Sequence, residues 1–109
     1  MENIVNLTGH DVTIKTPDGD IVIPPTGNKV NARYETRHIR EIQTPYGKVP
    51  ITRNFYHISK RLPPEKPGTW YIVSKIVAEV NPLRSDLLII NGLIRENHKP
   101  IGCRSLAIL

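Results

Sequence analysis

The stretch "DVTIKTPDGDIVIPP", residues 11–25, decides the fold class. Apolar Val12 and Ile14 alternate with Thr13 and Lys15, a period of two that suits a strand rather than a helix. Pro17 presets φ, Gly19 is free to take φ > 0, and the apolar run 21–23 resumes beyond them, so the segment reads as a β-hairpin. Pro24 and Pro25 stop its second strand.

Working outward, the same short periods recur. "NIVNL" at 3–7 is a strand separated from the hairpin by "TGH". In "KVNARYETR", Val30, Ala32 and Tyr34 alternate with Asn31, Arg33 and Glu35, which predicts a half-buried strand with arginine on its open face. Its continuation "HIREIQ" suits a strand or a helical turn. "TPYGK" marks a turn, and "VPITRNFYHIS" reads as a long strand with Phe55 and Tyr56 on opposite faces.

"KRLPPEKPGT" at 60–69 reads as a stiff, exposed loop. After it, "WYIV" suits a strand and Ser74 an N-cap for a short helix, with Ile76 and Val80 on one face, Glu79 away from it, and Pro82 ending it. "DLLII" is a short apolar run that suits a buried strand, "NG" at 91–92 is a hairpin-type dipeptide, and "IGCRSLAIL" closes the chain as a last strand or two. The expected fold class is therefore α+β and strand-dominated: a small antiparallel or mixed sheet with one or two short helices, in a single domain over residues 1–109.

Composition bounds the function. The chain of 109 residues has 39% hydrophobic and 23% charged residues, which is globular, and no apolar run nears the roughly 20 residues of a membrane span. Cys103 is alone, so no internal disulfide forms. The N-terminus has no basic and apolar signal pattern, and a cytoplasmic location is expected. The net charge is +5 with a pI near 9.6, which favours anionic partners. Eight of the 15 cations are arginines, whose planar fork suits phosphate.

Catalytic motifs are sparse. His10, His38, His57 and His98 have no second His or Cys at metal-ligand spacing, so neither a metal nor another cofactor is expected. "HIS" at 57–59 matches one half of a two-histidine phosphoesterase motif, but the second half is missing, because His10 is followed by Thr13 out of strand phase. No nucleophile elbow, dinucleotide fingerprint or P-loop occurs. Cys103 beside Arg104 is a reactive thiol or, more commonly in such a setting, a small core residue.

The polar loop "NPLRSD", 81–86, is the richest constellation. Arg84, Ser85, Asp86 and Asn81, joined by Arg104 and Arg33, offer groups for a phosphate or ribose, while Phe55, Tyr56 or Trp70 offer a stacking face. The structural alternative is that Asp86 caps a turn and pairs with Arg84.

"IVNLTGHDV" (4–12), "IPPTG" (23–27), "YIVSKIVAEV" (71–80), "RSDL" (84–87) and "IGCRSL" (101–106) together resemble a family of small tailed-phage and prophage proteins with an N-terminal Asn-Leu-Thr-Pro-His pattern. Gly9 stands where that pattern has proline, which implies a flexible turn in place of a rigid one. The resemblance implies a cytoplasmic accessory role during infection. A weaker similarity is to Thoeris anti-defence proteins, which sequester cyclic nucleotide signals without cleaving them.

Three functions follow as expectations. The first is a non-enzymatic sponge for a small nucleotide-like anion, gripped by Arg84, Arg104, Arg33 and an aromatic ring. The second is a module that binds a host protein or nucleic acid through a basic face. The third is a small phosphodiesterase using His57. Short strands with open edges also imply a homodimer or higher oligomer.

Overall fold

The computed structural model describes all of residues 1–109. Strand β2 (Val12–Thr16) turns at Pro17-Asp18 into β3 (Gly19–Ile23), the predicted hairpin, with Gly19 at φ +117°. The Thr16 hydroxyl donates to the Gly19 carbonyl at 2.6 Å, and Lys15 pairs with Asp20 at 2.7 Å. The other strands are β1 (Asn3–Asn6), β4 (Ala32–Thr44), β5 (Gly47–Ile58), β6 (Thr69–Ile72), β7 (Leu87–Glu96) and β8 (Lys99–Ala107), with one helix, α1 (Lys75–Glu79). The fold is strand-dominated α+β.

Six strands form one mixed sheet in the order β1-β6-β7-β8-β2-β3. β1, β6 and β7 run parallel, β7–β8 and β2–β3 are antiparallel, and β8 meets β2 in parallel at Ile14 and Cys103. The chain past β3 then returns to the far edge. Asn6 bridges Pro25, and the Thr26 N–H donates to the Asn6 carbonyl at 3.1 Å, so the sheet curls until its two ends touch.

Asn6 locks that closure. It is only 1% exposed, and its amide donates to the carbonyls of His10 and Ile23, both at 2.9 Å. Its side-chain oxygen accepts from the Thr8 N–H at 2.9 Å and the Thr8 hydroxyl at 2.6 Å. All four of the amide's hydrogen-bonding positions are therefore filled, which is what makes burial of such a group tolerable. These bonds tie the turn that contains Gly9 back to Asn6 on both sides.

Strand alternation sorts the core into two layers. Tyr71 and Val73 face outward against Val77 and Ala78 of α1, Leu7, Val30, Leu62 and Leu87, while Ile72 faces into the curl with Val12 and Cys103. Gly102 permits the tight approach of β8 to β2, since a Cβ there would sit 3.0 Å from the Thr13 carbonyl oxygen.

Several expectations are corrected. The strand expected to be half-buried is covered at Val30 and Ala32 but not beyond them, where no second layer lies over it; Tyr34 is 53% exposed. The loop 60–68 is not wholly exposed: Leu62 drops into the core and the Pro64 carbonyl accepts from the Tyr71 hydroxyl at 3.2 Å. Helix α1 is capped by Ser74 as expected; Val77 and Ala78 are its buried residues, and Ile76 and Val80 are half-buried. "DLLII" is fully buried only at Leu87, and Ile90 is exposed. Asn91-Gly92 lies inside β7; the hairpin turns instead at Asn97-His98, both at positive φ (52° and 66°), a conformation that asparagine tolerates through its short polar side chain.

Candidate functional site

β4 and β5 form a separate two-stranded ribbon that projects from the body as an arm. Its turn, Thr44-Pro45-Tyr46-Gly47, repeats the chemistry of the β2–β3 hairpin: Gly47 has φ +130°, and the Thr44 hydroxyl donates to the Gly47 carbonyl at 2.8 Å. At the root, the Ser59 N–H donates to the Asn31 carbonyl at 2.8 Å, and Ala32 packs on the core. The arm stretches the molecule to 58 Å along its longest axis.

The register of the arm sorts its residues by face. Arg33 lies opposite His57, Glu35 opposite Phe55 and Arg37 opposite Arg53, all on one face. Beyond a bulge at Ile39, Arg40 opposite Ile51 and Ile42 opposite Val49 extend that face toward the tip. The other face carries Ala32, Tyr34, Thr36 and His38 opposite Ile58, Tyr56, Asn54 and Thr52.

The first face is cationic and aromatic at once. The Arg37 guanidinium lies 4.6 Å from the centroid of the Phe55 ring and 3.2 Å from Glu35. His57 Nε2 stands 3.6 Å from the same carboxylate. The hydrogen bond and charge of Arg37, with a smaller contribution from His57, hold the Glu35 carboxyl below its ordinary range. Glu35 thus orients one arginine, while Arg37 and Arg53 stand directly across from each other with like charge.

The expected site residues do not converge. Arg33 and Phe55 share the arm's cationic face, but Tyr56 lies on the opposite face, edge-on to Tyr34 at 5.9 Å. The Arg84 guanidinium is held by both oxygens of Asp86 at 2.9 Å, lies 3.3 Å from Glu65 and sits over the Tyr71 ring. That hydrogen bonding raises the Arg84 pKa and lowers that of Asp86. Asn81 donates to the Val77 carbonyl at 2.8 Å and closes α1. Ser85 and Asp86 line a groove of about 460 Å³ with Glu2, Glu65, Lys66 and Trp70, where carboxylates outnumber cations. Arg104 is exposed on β8, against Gly92 of the neighbouring strand.

A larger cleft of about 810 Å³ opens beside the sheet closure. Val12, Val73, Leu93 and Ile101 give it an apolar lining, with His10, Lys29 and Lys75 among its polar residues. His10 therefore lines a cleft, while His57 stands on the arm beside Glu35. Cys103 is buried, with its thiol 3.5 Å from the Thr13 carbonyl oxygen, as a core residue would be. No group of three or more His, Cys, Asp or Glu side chains is placed to hold a metal, and no helix is long and apolar enough to cross a membrane.

Arg37, Arg40 and Arg53 are among the eight arginines suited to phosphate but lie outside the site expected from the sequence. The signal was present: Arg33, Glu35 and Arg37 share a strand phase, as do Arg53, Phe55 and His57, and folding about "TPYG" superimposes the two sets. In comparisons with known proteins, the chain matches no family model, no curated protein and no solved structure.

Proposed function

We propose that the protein is a non-enzymatic binder of nucleic acid, and that the cationic face of the arm grips the phosphate backbone. The observation that carries this reading is the Arg37–Arg53 pair: two arginines in register opposite each other, on one face of a ribbon that forms a sheet of its own. Arg33 and Arg40 continue the row, and the Phe55 ring among them supports the Arg37 guanidinium on its face. A two-stranded β-ribbon fits the major groove of duplex DNA, about 12 Å wide, and arginine forks match phosphate oxygens. The remaining charges of the arm strengthen the bias, with Arg33, Arg37, Arg40, Lys48 and Arg53 against Glu35 and Glu41. Such an activity suits the phage accessory role that the sequence resemblance implies.

The sponge reading has less geometric support. Arg84 is already neutralised by carboxylates, and Arg33, Arg84 and Arg104 stand on separate elements.

Fluorescence polarisation with labelled duplex DNA, single-stranded DNA and RNA, and with cyclic dinucleotides as competitors, tests the proposal. Polymer binding that weakens steeply with salt is expected, because phosphate contacts release counterions. No polymer binding at low salt overturns it, and binding of cyclic dinucleotides alone returns the sponge reading to first place.

A further inference from the structure

We infer that the arm's second face, the one bearing Tyr34 and Tyr56, is a contact surface for a second copy of this chain. The molecule is far from compact. Its radius of gyration is 18.0 Å, against about 13 Å for a compact domain of this length. Its accessible surface is 8141 Å², against roughly 6,100 Å² for a compact monomer of 12.3 kDa. The excess, on the order of 2,000 Å², exceeds the about 800 Å² per partner that a standard interface buries. An isolated two-stranded ribbon is also marginal in water unless something packs on it.

The charge pattern selects the face and the partner. From the root to the bulge, Ala32, Tyr34, Thr36, His38, Thr52, Asn54, Tyr56 and Ile58 include no arginine, lysine or carboxylate. Tyr34, Tyr56 and Ile58 are 53%, 50% and 41% exposed, and aromatic residues without formal charge are what interface cores enrich. The opposite face, with three arginines over the same length, repels its own copy. Only the tyrosine face is self-complementary, as a two-fold contact requires. Pro50 in β5 and the bulge at Ile39 in β4 blunt the strand edges, which favours face-to-face stacking over edge pairing. Stacked this way, two arms leave both arginine faces outward.

Sedimentation equilibrium of the full chain over a wide dilution series tests this, with and without Tyr34→Glu plus Tyr56→Glu. The expected mass is twice 12.3 kDa at high concentration, falling to the single-chain value in the tyrosine variant, with the far-ultraviolet circular dichroism of the body preserved. Thr36→Glu, at an exposed position farther out on the same face, provides a second variant with the same expected loss of dimer. Arg37→Ala plus Arg53→Ala should remain dimeric, so failure of the dimer and failure of nucleic-acid binding are read separately. A single-chain mass for the unmodified protein at every concentration, or an undiminished dimer in folded tyrosine and threonine variants, overturns the inference.

Discussion

Two hairpins of this molecule turn on the same device, Thr-Pro-x-Gly at 16–19 and at 44–47, yet their fates differ. The β2–β3 hairpin is sewn into the curled sheet, where Val12 is buried and Ile14 and Ile23 pack beside it. The β4–β5 hairpin is more than twice as long, and beyond Ala32 none of its residues is buried. Local turn chemistry thus makes a hairpin without deciding what covers it. Cover comes from alternation that is apolar on one face, present in the first hairpin and replaced in the second by arginine rows and tyrosines.

This division of labour is broken most easily by attacking the body. Asn6→Ala leaves the Thr8 N–H and the Ile23 carbonyl without their partner at the sheet closure, and leaves the His10 carbonyl with the Thr8 hydroxyl alone. A loss of about 3 kcal/mol is expected in urea denaturation. Ile72→Ala, at a fully buried site, should cost about 2–5 kcal/mol through lost contacts and a cavity. If either variant unfolds no more easily than the unmodified protein, the body is not the stabilising unit.

Gly102→Ala should cost less, about 1–3 kcal/mol, because the backbone of β2 must yield to the new methyl group. Calorimetry of this variant tests whether the β8–β2 seam is as tight as the glycine implies.

The Arg84–Asp86 pair gives a pH signature that belongs to the body alone. The folded Asp86 carboxyl lies below its unfolded value of about 3.9, so its contribution to stability is fully present above that pH. It is lost as pH falls through the lower folded value. Asp86→Asn should therefore flatten the acid limb of a plot of stability against pH and leave the arm's ligand binding unchanged.

Much of this architecture is legible in the chain. Both Thr-Pro-x-Gly turns, the Ser74 cap and the Pro82 stop are local chemistry and appear where the residues place them. Non-local facts are not legible in the same way. Asn91-Gly92 has the composition of a turn, but the pairing of β7 with β8 carries it through as strand and moves the turn to Asn97-His98. Arg84 looked free to bind phosphate because Glu65, its second carboxylate, is distant in sequence. For Arg37 and Arg53, strand phase gave the face and only the register across the turn gave the pair.

The smallest stability effect and the largest functional one are expected from the same substitution, Arg37→Ala with Arg53→Ala. The most direct test measures its duplex-DNA affinity across a salt series alongside its melting temperature. The expected result is stability within about 0.5 kcal/mol of the unmodified protein and a slope of log K against log salt reduced by about 2, one per phosphate contact removed. An unchanged slope, or a loss of binding that only accompanies a collapse in melting temperature, would contradict it.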